Sequence, residues 1–523
     1  MLAITPDEVL TLPELMAVAR NGEKVTLHPR TIAVIEKSRA TVERMVREGH
    51  IVYGITTGFG SFYNKTIGPE ETHALQRNLI ESHACGVGKP LPVDVVRAMM
   101  LLRVKSLSQG YSGIRLSTLE TLLAMLNKGV VPLVPEKGSL GASGDLCPLS
   151  HMILPMLGKG EAYYQGDLLA GQEAMSRAGI PLIELEAKEG LALNNGTQCM
   201  TAIGALAVHD ALYLLETAEL SAALSLEALN GRIDAFDAQI HETRRQDGQK
   251  ISAARIRAHT AGSSFLYELG TDMKHSRVQD AYALRCVAQV HGASRDAINY
   301  VASVIHKEMN AVTDNPLIIG EEAISSGNFH GQPVALAMDF LGIALAELAN
   351  IAERRLERMV NKDLSNGLTP YLTDEGKGGL HSGFMLVQYA AAALVSENKI
   401  LAHPASVDSI SSSNNQEDHV SMGTIAARKA TEILENTRQV IAMELLTAAQ
   451  AIDLRRRGVG RGGLDERERP KWQKGAALPT HLGAATQALY NKIRQRVPAM
   501  LEDRVIAPDI ATVTQIIKLE EVL

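Results

Sequence analysis

Residues 200–231 read "MTAIGALAVHDALYLLETAELSAALSLEALNG", a tract with no proline and apolar side chains around most of its circumference. The pattern predicts one helix of roughly 45 Å. A helix that is apolar nearly all round needs cover on every side, as in the middle of a bundle or between subunits. Two more stretches read the same way: "PVALAMDFLGIALAELANIAERRLERMVN" from Pro333, and "ARKATEILENTRQVIAMELLTAAQAIDLRRR" ending at Arg457. Together they predict a mainly α fold organised as a long-helix bundle. Aromatic residues make up only 4% of the chain while Ala, Leu, Met and Gly are plentiful, which suits long, close-packed helices.

Before about residue 200 the texture changes to shorter helical patterns separated by glycine-rich turns such as "YGITTGFGS" and "CGVGKPLP". We place a boundary there, with an N-terminal domain over 1–200 and a central and C-terminal helical bundle over 201–523. Within the first part, "STLETLLAMLNKG" (117–129) puts Leu119, Leu122, Leu123 and Leu126 on one face. Ser117 and Glu120 have capping-box spacing, and Gly129 is a stop. After the last long helix, "RRRGVGRGGLDERERPKWQKG" (455–475) carries the only tryptophan, Trp472, and reads as a solvated surface loop.

The chain has 523 residues and 46% hydrophobic content, enough for two to four folding units by length. Lys and Arg number 52 against 59 Asp and Glu, so no basic excess exists to neutralise a phosphate backbone, and nucleic acid is excluded as a partner. No basic segment followed by an apolar one opens the sequence, and charges interrupt the apolar runs short of membrane length. A cytoplasmic protein with no membrane contact is expected. The cysteines Cys85, Cys147, Cys199 and Cys286 lie far apart with no C-x-x-C pair, which argues against a disulfide framework and against a zinc site.

Chemistry concentrates in "GSLGASGDLCPLSHM" (138–152). A run of small residues is poor helix or strand material, because each glycine adds chain entropy and removes a packing side chain. Phosphate binding does not fit the glycines elsewhere: neither Gly58-Phe59-Gly60 nor Gly86-Val87-Gly88 completes G-x-G-x-x-G. Ser143 as a hydrolase nucleophile is a remote alternative, since Gly-Ala-Ser-Gly is not G-x-S-x-G and no strand run precedes it. A tight bend would let the Gly144 nitrogen attack the Ala142 carbonyl carbon. Loss of two waters then leaves a five-membered ring with an exocyclic methylene from Ser143, a strong electrophile.

In ordered motifs along nearly the whole chain, the sequence resembles the aromatic amino-acid ammonia-lyases and aminomutases. The motifs are "VYGITTGFG" (52–60), "ESHACGVG" (81–88), "GASGDL" (141–146), "NNGTQ" (194–198), "QDAYALRC" (279–286), "NAVTDNP" (310–316), "GNFHGQP" (327–333) and "NQEDHVSMG" (415–423). The resemblance implies a bundle of the fumarase/aspartase-like type, with a smaller mixed N-terminal region bearing the electrophile loop. It implies that Ala142, Ser143 and Gly144 form 4-methylidene-imidazol-5-one with no diffusible cofactor. It also implies a homotetramer whose active sites draw residues from three chains.

Residue by residue, Tyr53 resembles the base that removes the β-proton, a task requiring a phenolate and hence a lowered pKa. Arg285 resembles the clamp on the substrate carboxylate, suited to a planar fork of donors. Asn195, Gln279, Tyr282 and Asn315 resemble the polar shell, and Phe329 the apolar wall. Ser82-His83 and Glu417 match the branch of the family that acts on L-histidine to give trans-urocanate. A carboxylate accepts an imidazole N–H, whereas a phenyl ring would leave it buried and unpaired. Tyrosine and phenylalanine ammonia-lyases and 2,3-aminomutases share the electrophile and are the alternatives. Ergothioneine-type lyases start from a good leaving group and do not need the triad. Asn194, Cys147, Ala281, His381, Phe62 and Tyr63 depart from the pattern expected of that branch without removing a reacting group.

Overall fold

The computed structural model describes residues 1–267, 278–374, 376–458 and 479–522. Most of the loop expected over 455–475, with Trp472, lies outside them. The chain is mainly helical, and its strands form small two- and three-stranded sheets. The three long helices expected from the sequence are present at Gln198–Ala228, Gln332–Val360 and Gly423–Arg456. By length and composition the first two could cross a membrane, contrary to the expectation that charges interrupt every such run; 78% and 67% of their apolar windows are buried, as in core helices.

Contacts in space divide the chain into two compact units. The first comprises Met1–His209, Val301–Asp339 and Pro404–Lys429; the second comprises Asp210–Tyr300, Phe340–His403 and Ala430–Leu523. The first break falls near the boundary placed at about 200. Each unit also takes in later segments that the division into 1–200 and 201–523 does not join.

In the first unit the helix Val93–Leu107 runs through the core, buried along nearly its whole length. Even its Lys105 is buried, and its ammonium donates to the carbonyls of Thr5 at 3.0 Å and Glu8 at 2.6 Å. The helix Leu116–Lys128 buries the four predicted leucines and ends at Gly129, which is left-handed at φ 78°. Its N-terminus differs from expectation. The cap is Arg115, and the Ser117–Glu120 box does not form. The buried carboxylate of Glu189 takes over, accepting from the Arg115 N–H at 3.0 Å and the Thr118 hydroxyl at 2.7 Å. A fixed negative charge at a helix N-terminus satisfies free amides and complements the dipole, and no local spacing announces it.

Strand Val87–Pro90 pairs antiparallel with Pro135–Lys137, with Val87 opposite Lys137. This register places the segment "ESHACG" beside the start of the loop at 138–152.

Candidate active site

The loop folds back on itself. Gly141 and Gly144 form an antiparallel bridge, and Gly144 forms a parallel bridge to Gly196. Both loop glycines are left-handed, at φ 74° and 72°. A Cβ on Gly144 would fall onto the Gly196 carbonyl, and one on Gly141 onto the Ser421 hydroxyl, so only glycine fits either place. The bend that cyclisation needs is thus built into the backbone. Gly196 N–H donates to the Ser143 carbonyl at 3.3 Å, and Asp145 N–H donates to the Gly196 carbonyl at 2.7 Å.

The acid after the triad holds this loop in place. Asp145 is fully buried and accepts from Ser139 Oγ at 2.8 Å, from the Met200 N–H at 2.9 Å and from Thr424 Oγ1. Burial raises its pKa against the pull of these donors. Behind the loop, the guanidinium of Arg103 donates to the Asn195 carbonyl at 2.8 Å, and the buried pair Lys188–Asp314 closes at 2.5 Å. Burial brings Arg103 down to about 10 and also lowers Lys188.

Two cavities of about 760 and 560 Å³ meet at this loop. Tyr53, Ser143, Asn315 and Glu417 line both. His83 and Asn195 line the larger, and Ala142 and Phe329 the smaller. Ser143 Oγ donates to Glu417 Oε1 at 3.3 Å, and Asn195 Nδ2 donates to the Asn315 carbonyl at 3.2 Å. The first unit therefore brings together nine of the twelve residues singled out from the sequence, counting Gly144 at its bridge.

Electrostatics departs from expectation at Tyr53. Its phenol is pushed up rather than down, first by burial, with the Gly60 N–H opposing and the Glu417 charge adding to the rise. That N–H donates to Tyr53 Oη at 3.3 Å. The His83 imidazole is pushed down by burial, against a backbone hydrogen bond at Leu79 and the Glu417 charge. It is neutral at pH 7 and offers one donor and one acceptor. Ser82 Oγ lies 3.0 Å from its Nδ1.

Gln279, Tyr282 and Arg285 belong to the second unit and line neither cavity. Gln279 is exposed, and so is Tyr282, at 70%. The Arg285 guanidinium stacks 4.6 Å from the centre of the Tyr282 ring and donates from Nε to the Asp280 carbonyl at 2.9 Å.

The departures are accommodated locally. Buried Asn194 donates to Ser150 Oγ at 3.1 Å, Cys147 packs against Gly86 and Gly138, and His381 Nδ1 accepts from the Asp503 N–H at 3.3 Å. Phe62 and Tyr63 are exposed. Sequence reasoning passed over Arg103, Lys188 and Ser412, which hold the site residues from behind or beside. A charge inside the apolar stretch "MMLLRVKSL" was the available signal for Arg103.

A sequence profile described as aromatic amino acid lyase matches residues 10–495. The histidine ammonia-lyase of Caldanaerobacter subterraneus subsp. tengcongensis is 54% identical over 519 residues, covering 98% of this chain and 96% of that protein. Among solved structures, a histidine ammonia-lyase from Trypanosoma cruzi superposes with a TM-score of 0.88 at 39% identity, over 100% of this chain and 94% of that one. A phenylalanine aminomutase from Pantoea agglomerans superposes with a TM-score of 0.91 at 35% identity, over 100% of both chains.

Proposed function

The chain belongs to the aromatic amino acid lyases and is a carbon–nitrogen lyase of their helical fold, and from that premise we propose that it eliminates ammonia from L-histidine to give trans-urocanate. The observation that carries the choice of substrate is the Glu417 carboxylate, 3.3 Å from Ser143 Oγ in a cavity that His83 also lines. An anionic acceptor there matches an imidazole N–H and penalises a phenyl ring, which would leave it desolvated and unpaired.

Cyclisation of Ala142, Ser143 and Gly144 to 4-methylidene-imidazol-5-one fits the residues present. The left-handed glycines allow the bend, and the Gly196 N–H on the Ser143 carbonyl would draw electron density from the ring. Once formed, the group supplies an electrophilic carbon for the substrate amine, which turns it into a better leaving group. The chain's own residues do the rest. Tyr53 takes the β-proton, with the Gly60 N–H stabilising the phenolate. His83 and Glu417 hold the imidazole, Phe329 walls the ring, and Asn195 and Asn315 bind around the amino group.

Arg285 fixes the carboxylate, with Gln279 and Tyr282 beside it. We take these three to act at the site of another copy, in a cytoplasmic homotetramer with shared active sites. Exposure of a large aromatic such as Tyr282 supports that reading, because a subunit interface would cover it.

The test is absorbance at the urocanate band as purified protein is offered L-histidine, L-tyrosine and L-phenylalanine, with Ser143→Ala as control. Product from histidine alone, lost in the variant, is expected. Turnover of tyrosine or phenylalanine instead would transfer the protein to the alternative branches. Light scattering on the same sample is expected to give four chains, and an active monomer would defeat the shared site.

A further inference from the structure

We propose that Ser412 is a positioning residue for Glu417 and, through it, a determinant of imidazole recognition; this rests on the histidine reading above. Ser412 and Glu417 close a small hairpin. Ser412 N–H donates to the Glu417 carbonyl at 2.9 Å, and Glu417 N–H donates back to the Ser412 carbonyl at 3.3 Å. Between them Ser413, Asn414 and Asn415 are all left-handed, with φ of 49°, 51° and 63°. Three non-glycine residues in that region in succession are rare, and such a conformation persists only where its surroundings impose it.

The surroundings are the site itself. Ser411 Oγ donates to Asn415 Oδ1 across the turn. Ser413 packs so closely on Gly60 that a Cβ there would stand 2.6 Å from Ser413 Oγ. Gly60 is the residue whose N–H donates to Tyr53 Oη. The hairpin thus fixes the position of Glu417 relative to the proposed base.

The side chains carry the inference further. Glu417 Oε1 accepts from Ser143 Oγ at 3.3 Å, and Oε2 accepts from Ser412 Oγ at 3.1 Å. Ring formation expels the Ser143 hydroxyl as water, so of these two donors only Ser412 is left. One carboxylate oxygen then stays anchored while the other, facing the electrophile, is free to accept an imidazole N–H. Without the anchor the carboxylate rotates among its torsional states, and substrate must order it on binding.

The experiment compares Ser412→Ala and Ser412→Thr with the unaltered full-length chain. Intact mass comes first: a loss of two waters reports the ring independently of turnover. On matured protein, Ser412→Ala is expected to raise KM for L-histidine about tenfold or more, as loss of a hydrogen bond to a charged group does, with a smaller change in kcat. Ser412→Thr keeps the hydroxyl and is expected to restore KM to within about twofold. In a Glu417→Gln background the Ala substitution is expected to add little, since the group it orients is gone. If Ser412→Ala does not fold, Ser412→Cys removes the strong donor at nearly constant volume and is read the same way. A matured Ser412→Ala enzyme with unchanged KM overturns the proposal, as does a full additional loss in the Glu417→Gln background. An unaltered chain that ignores L-histidine would instead overturn the substrate reading.

Discussion

Burial above all holds the Tyr53 phenol above its ordinary value of 10.0, and the Glu417 charge works in the same direction. A base that must be ionised and has a high pKa is mostly protonated at neutral pH, and its active fraction grows about tenfold per pH unit below that value. We therefore expect kcat/KM for L-histidine to climb with pH from about 6 to about 9. Tyr53→Phe should abolish the climb and lower kcat by about a hundredfold or more. A pH–rate profile of both proteins checks this, and a flat profile in the unaltered enzyme would remove Tyr53 as the titrating group. At this scale the sequence showed residue types well and environments poorly. The glycines around Tyr53 were legible, but its burial was not, nor was the Glu417 charge that adds to the rise from hundreds of positions away. Ser412 lay hidden for a similar reason, since a run of polar residues has no periodicity from which a hairpin can be read.

Among the elements, the long helices were the most legible, because thirty residues without proline and with little polar surface leave few other structures. The polar groups inside them were not. In the second unit, Arg355 on Gln332–Val360 and Glu444 on Gly423–Arg456 form a buried two-pronged pair at 2.5 and 3.0 Å, and Ser225 Oγ donates to the same carboxylate at 2.6 Å. Neither side chain of the pair is exposed. Removing one partner strands the other charge in a medium that solvates it poorly, so Glu444→Gln is expected to cost about 3–5 kcal/mol. Replacing both, as Arg355→Met with Glu444→Leu, should cost less than the single change. Chemical denaturation of the two variants decides the order. The failed Ser117–Glu120 box teaches the same point: a cap supplied by Glu189 from another segment outcompetes the local one.

At the scale of the molecule, most breaks between the two units, the first included, fall inside long helices, where composition does not change to mark them. The motif order along the chain nevertheless identified the residues that meet in the first unit. What it could not supply was the framework joining them, which depends on close approach of backbone segments rather than on side-chain type. That framework also sets a clock. The wall against Gly141 is Ser421, the wall against Gly144 is Gly196, and Thr424 anchors Asp145. A ribosome makes the triad long before it makes the last of these supports, so a nascent chain carries an ordinary Ala-Ser-Gly through most of its synthesis. Chains stalled before Ser421 are expected to keep the full mass of residues 142–144, and a two-water loss in them would show that the later walls are dispensable. On the proposed cyclisation, the group would form only after the fold that shelters it, and an unfinished copy would carry no reactive electrophile.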